Sequence, residues 1–212
     1  MLRKVIILAF IGVVAGGVYV SRGTLETMGA MVMTTRDLFF PAKSEPPVAS
    51  VVEPAKPAAF TGFPAKLNHR LMALNDEGTP KDFDTHKLVG VKYWAFYYSA
   101  SWCGPCRAFT PSLVNFYRRF KPAHPNFELI FVNDDRNEED MISYMKSDGM
   151  TWPAVWYAEI NNPQLEIKKY EGSGIPDLVL VDADGRVLSD SFEGNNYLGP
   201  EHVLDDIRAI VK

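Results

Sequence analysis

The only two cysteines in this 212-residue chain, Cys103 and Cys106, stand three apart where a strand gives way to a helix. Upstream, Val91 to Tyr98 (VKYWAFYY) has the aromatic and β-branched content of a buried central strand. Downstream, Pro105 suits a first helical turn, and the spacing predicts a helix to about Phe120, ended by Lys121-Pro122. A disulfide closing so short a loop gains little from loop entropy, so bracing explains the pair poorly. Switching between dithiol and disulfide explains it better. Two cysteines are also too few for a disulfide scaffold. A structural zinc site needs about four Cys or His ligands, and His69, His86, His124 and His202 include no pair at ligand spacing. Haem attachment fails because Arg107 follows Cys106. No metal is expected. A net charge of -4 with no long basic run offers no footprint for nucleic acid.

A cysteine directly after a strand and before a helix places its sulfur among unpaired backbone N–H groups at the positive end of the helix dipole. That environment favours the thiolate. Cys103 is therefore expected to attack, and Cys106, one turn in and less exposed, to resolve the mixed disulfide.

The chain before this region is of a different kind. Arg3 and Lys4 precede an uncharged run from Val5 to Val20, which ends before Ser21-Arg22. As a helix the run would span about 24 Å, short of the roughly 30 Å hydrocarbon core. Residues 1–22 are expected to be a signal peptide or an uncleaved signal anchor, because the small-residue cleavage site is poor. The basic flank should stay in the cytoplasm and the rest be exported. The protein would then face the periplasm or another extracytoplasmic space from the membrane, or be secreted if the signal is cut. Residues 23–59 read as a low-complexity Pro/Ala-rich linker. Pro41, Pro46, Pro47, Pro54 and Pro57 make its second half an extended, semi-rigid spacer.

The folded domain is expected over residues 60–212 as an α/β layered unit. Leu71 to Leu74, the turn Asn75-Asp76-Glu77-Gly78 and Phe83 suggest a hairpin. Phe127 to Val132 reads as a second buried strand. Glu138 to Lys146 reads as a helix stopped at Asp148-Gly149, and Gln164 to Tyr170 as another ending near Gly172. Leu178 to Val181 and Arg186 to Leu188 should form a hairpin across Asp184-Gly185. Pro200 opens a last amphipathic helix with Val203, Leu204, Ile207 and Ile210 on one face. The acidic cluster from Asn133-Asp134-Asp135 to Glu138-Glu139-Asp140 is expected to cap and charge a helix start. Asp182-Ala183-Asp184-Gly185 lacks the later ligands of a calcium loop.

Ser99-Ala100-Ser101-Trp102-Cys103-Gly104-Pro105-Cys106-Arg107, followed by Phe109-Thr110-Pro111, resembles the thioredoxin superfamily. More narrowly it is similar to the tryparedoxin and nucleoredoxin branch, with some likeness to exported bacterial thioredoxin-like reductases. The likeness continues through Met150-Thr151-Trp152-Pro153, Gly174-Ile175-Pro176 and Val181-Asp182-Ala183-Asp184-Gly185. It implies a thioredoxin-like fold, a central mixed sheet flanked by helices. It implies a cis-proline at Pro176 facing the cysteines, with the Ile175 backbone free to pair with a substrate strand. Gly172-Ser173-Gly174 would permit the unusual backbone there; the alternative is a trans proline that starts the strand. By the same resemblance Trp102 and Trp152 would form an apolar rim around Cys103, Gly104, Pro105 and Cys106; the alternative, an ordinary core aromatic, weighs equally for Trp152 and less for Trp102. Pro111 would be a structural helix proline.

Two departures stand out. Tyr97 occupies the place of the buried aspartate of ordinary thioredoxins, as in the tryparedoxin branch. A phenol titrates near pH 10, so it cannot act as a base at neutral pH. Gly104-Pro105 is the thioredoxin dipeptide, where the branch usually has Pro-Pro, and it leans towards a reducing role. The expected activity is reduction of protein disulfides. The electrons would be carried by the Cys103–Cys106 pair without a cofactor, and a separate thiol or membrane donor would recharge it. An oxidase or isomerase, or a non-catalytic redox-sensing docking module, is the alternative.

Overall fold

The computed structural model describes residues 63–212; the readings of residues 1–22 and 23–59 lie outside them. The elements are α1 (Phe63–Lys66), β1 (Leu71–Leu74), β2 (Pro80–Asp82), β3 (Tyr93–Ser99), α2 (Gly104–Phe120), β4 (Phe127–Asn133), α3 (Glu138–Asp148), β5 (Ala154–Val155), β6 (Asp177–Asp182), β7 (Val187–Asp190), β8 (Phe192–Glu193), β9 (Asn196–Tyr197) and α4 (Pro200–Ile210). The main sheet runs β2-β1-β5-β4-β3-β6-β7. β4 lies parallel to β3 and β5, and the other pairings are antiparallel. The mixed central sheet is thus present, with β3 inside it.

The aromatic run of β3 is explained by burial on both faces. Ala95 and Tyr97 point into a core with Phe109 and Leu113 of α2, Met141 and Met145 of α3, and Val203 and Ile207 of α4. Trp94, Phe96 and Tyr98 point the other way, towards Leu88, Ile160, Leu165 and Ile167. The second face is therefore covered mainly by short 3₁₀ turns and loops rather than by long helices. This corrects one expectation. Gln164 to Tyr170 is not one helix but two 3₁₀ turns, Pro163–Leu165 and Ile167–Tyr170, separated by Glu166 at φ 55°. A left-handed residue cannot propagate helical hydrogen bonds.

The remaining elements follow their local signals. α3 starts at the Asn137 cap, whose side chain accepts the Asp140 N–H, and ends at Gly149, φ 71°. α2 continues through Pro111 to Phe120. The small β8–β9 hairpin was not anticipated. It turns at Gly194, φ 61°.

Candidate active site

Cys103 is the N-cap of α2, with extended backbone at φ -84° and ψ 108°. Gly104 and Pro105 open the helix, and Pro105 has no N–H to leave unpaired there. The two sulfurs are joined in a disulfide with Cα atoms 5.2 Å apart. The Cys106 N–H donates to Cys103 Sγ at 3.2 Å. The outer sulfur thus already sits where an anion would find a backbone donor. Cys103 is 5% exposed and Cys106 fully buried. A Cβ added at Gly104 would meet nothing within 4 Å, so a glycine here leaves open space beside the disulfide.

The loop ahead of β6 closes the site from the opposite side. The Ile175–Pro176 peptide is cis. Ile175 packs on Ala100, Cys103 and Cys106, and its carbonyl oxygen lies 3.7 Å from Cys103 Sγ. Its position follows from the sheet. β6 pairs with β3 from Tyr93↔Asp182 to Tyr98↔Asp177, so Ile175 and Pro176 stand just past the paired stretch, level with the chain that leaves β3 for the cysteines. The structure thus brings Cys103, Gly104, Pro105, Cys106, Ile175 and Pro176 together.

The two tryptophans part company. Trp102 is 61% exposed, and its Nε1–H donates to the Asp134 carbonyl at 3.3 Å. Trp152 is 1% exposed and packs edge-on against Tyr117, with ring centroids 5.4 Å apart. It lies in the α2 face of the core and forms no part of an exposed rim, which favours the core alternative over the rim implied by resemblance.

Beneath the helix Tyr97 is fully buried. Its hydroxyl donates to the Cys106 carbonyl at 3.3 Å and meets Thr110 Oγ1 at 2.9 Å. Thr110 also meets the Tyr144 hydroxyl at 2.7 Å, which reaches Ser99 Oγ at 3.0 Å. Burial, with Tyr144 adding to it, pushes the Tyr97 phenol far above its ordinary range. This hydroxyl chain fastens the cysteine helix to β3 and α3 without supplying a base.

Sequence reasoning missed several supporting residues. Asp135, read only as part of a helix-charging cluster, turns back to the cysteine loop. Its Oδ1 accepts the Ser101 N–H at 2.8 Å and the Ser101 hydroxyl at 2.7 Å. Its neighbour Asp134 is pushed upward by burial and the Glu171 carboxylate. The Tyr197 hydroxyl donates to the Pro176 carbonyl at 2.9 Å. Asp177, directly after the cis-proline, holds the Gly172 N–H at 2.7 Å. Parallel pairing of β3 with β4 is the signal that could have placed Asp135 beside Ser101. Among the described residues no His, Cys, Asp or Glu group is arranged to hold a metal ion.

These features match known proteins. A family model described as thioredoxin-like matches residues 90–187. Human nucleoredoxin is 42% identical over 93 residues, 44% of this chain and 21% of nucleoredoxin. Tryparedoxin I from Leishmania major is 32% identical, with 69% of this chain and 92% of that protein covered at a TM-score of 0.50. Tryparedoxin I from Crithidia fasciculata is 29% identical, with 69% and 92% covered at a TM-score of 0.51. The chain spans about a fifth of the length of the curated relatives it matches and nearly all of the tryparedoxins.

Proposed function

This chain belongs to the thioredoxin superfamily, in its tryparedoxin and nucleoredoxin branch, and we propose that it reduces protein disulfides through Cys103 and Cys106. The observation that carries this reading is the seat of the Cys103 sulfur. It caps a helix, receives the Cys106 N–H, and faces the cis Ile175–Pro176 peptide. In the reduced protein the Cys103 thiolate attacks one sulfur of a client disulfide, and the other client sulfur leaves as a thiolate. Cys106 then loses its proton, taken up by the client thiolate just released, and attacks Cys103 Sγ, releasing the second client thiolate. Two electrons pass from the cysteine pair to the client, and the Cys103–Cys106 disulfide remains. A separate thiol or membrane donor restores the dithiol, and no cofactor enters.

Geometry suits an extended client segment. Ile175 stands beyond the end of the β3–β6 pairing, where its backbone can take a client strand by β-augmentation. The exposed Trp102 and the bare Gly104 border that approach. The apolar run and linker in residues 1–59 support, in this reading, an activity outside the cytoplasm. Val5 to Val20 acts as signal or anchor and the Pro/Ala-rich stretch as spacer.

Insulin-disulfide reduction by the full chain is the test, with Cys103→Ser as control. Turnover that survives in the control sinks the reading. The reduction potential of the pair decides direction: a value near those of strong oxidants would make the protein a disulfide donor. Location is read by labelling the reduced cysteines in intact cells with a membrane-impermeant maleimide. Labelling only after lysis would overturn the exported placement.

A further inference from the structure

Asp177 is a carboxyl group in an expensive position. It is fully buried, yet among the described residues no cation faces it. Tyr98 faces it from β3, Glu171 from the loop, Asp190 from β7 and Tyr197 from the β8–β9 hairpin. Glu171 is itself paired with Lys168 at 2.8 Å, and the ring of His202 lies on the Asp190 carbonyl at 2.7 Å. One carboxyl oxygen accepts the Gly172 N–H. The other meets no donor at hydrogen-bonding distance among the described residues, though the neighbouring Ser191 hydroxyl also favours its ionised form. The nearby Ser191 hydroxyl gives its hydrogen to the Leu178 carbonyl at 3.1 Å and accepts the Leu178 N–H at 2.8 Å. An asparagine could hold the Gly172 N–H with no charge to desolvate. An ionisable group here therefore needs a reason beyond holding these neutral donors.

The segment it holds provides the reason. Residues 172–175 end at the carbonyl beside Cys103 Sγ. On its other side the segment is pinned by the Tyr197 hydroxyl at Pro176 and by the Phe192 ring, which lies where a Gly172 side chain would go. The Gly172 N–H is the one backbone link between Asp177 and this segment that can change with charge, because an ionised acceptor binds an N–H about twice as strongly as a neutral one. We propose that Asp177 is a positioning residue of the redox site, its carboxylate fastening residues 172–175 through the Gly172 N–H and slackening them on protonation, so that docking of a client backbone at Ile175 follows ambient pH. The inference rests on the oxidoreductase reading given above. Burial first, with the Asp190 and Glu171 carboxylates, set against the Gly172 N–H and the Ser191 hydroxyl, puts this titration at about 7.

The oxidised full chain isolates the effect, because cysteines in a disulfide do not titrate. The Gly172 and Ile175 amide resonances of ¹⁵N-labelled protein are followed from about pH 5 to about pH 9, a range that brackets neutral titrations. Both are expected to move with a midpoint near 7, and Asp177→Asn, which keeps an acceptor for the N–H, is expected to flatten them. In turnover, KM for a protein disulfide should rise about tenfold on acidification in the wild type, the loss expected when a charged hydrogen bond is weakened. It should be independent of pH in Asp177→Asn, while Cys103 alkylation follows one pH profile in both. Flat wild-type resonances, or a titration that persists in Asp177→Asn, would overturn the proposal whether or not the protein turns over. No turnover beside an intact Gly172 titration would count against the oxidoreductase reading and leave the fastening in place.

Discussion

Tyr97 lies under the inner cysteine, where a proton relay would need an ionisable group near neutrality, and its surroundings make it harder to ionise than a free phenol. Burial raises its titration far above neutrality, so its worth is structural. Tyr97→Phe should cost about 1 kcal/mol of stability, the usual net value of a hydrogen bond, and leave the pH profile of turnover unchanged. Urea denaturation and a pH–rate series check both. An altered profile would mean that the hydroxyl chain from Tyr97 to Ser99 moves protons after all. The tryptophans offer a second comparison. Trp152→Ala should cost roughly 3–5 kcal/mol by emptying the core beside Tyr117. Trp102→Ala should cost well under about 1 kcal/mol, as at other exposed positions, and should raise KM for protein disulfides more than for a small disulfide. Equal destabilisation by the two would contradict their burial. At this scale the cysteines were legible because their spacing carries their chemistry. Trp152 was not, because an aromatic before a proline looks the same in a core as on a rim.

At the scale of elements, the cis-proline loop depends on a hairpin that sequence pattern alone does not reveal. β8 and β9 are two residues each, too short for alternation to register, though Gly194-Asn195 between Phe192 and Tyr197 is a recognisable turn signal. Gly172→Ala should expose this dependence. The added methyl would strike the Phe192 ring and stand 3.1 Å from Asp177 Oδ2, so the hairpin and the Gly172 N–H must both give way. Stability should fall by about 1–3 kcal/mol, the usual cost of overpacking. Turnover should fall with it through KM, while Cys103 alkylation stays near wild type. Unchanged KM would separate the hairpin from docking. Long elements were readable for the opposite reason: β3, α2, α3 and α4 each carry several residues of one periodicity or a clear cap. The stretch 163–170 misled because its residue types suit a helix, and only the left-handed Glu166 breaks it.

For the whole molecule, Asp177 couples the grip on the docking loop to global stability with opposite signs. Its folded titration at about 7 lies above the roughly 3.9 of a free aspartate, so the folded state binds the proton more tightly than the unfolded state. Below about pH 4 both states are protonated and the group costs nothing. Between there and 7 the unfolded chain ionises freely while the folded one resists, and stability falls as pH rises, by at most about 1.4 kcal/mol per unit. Above 7 the cost is complete, a few kcal/mol at most. Asp134 and Asp190, both also pushed upward by burial, add in the same direction. Urea midpoints at about pH 5 and about pH 8 should therefore favour the acid side in the wild type, with the difference reduced in Asp177→Asn. The same ionisation that weakens the fold strengthens the hold on Gly172, so the protein would dock clients best where it is less stable. Equal pH dependence in wild type and variant would remove Asp177 from both effects.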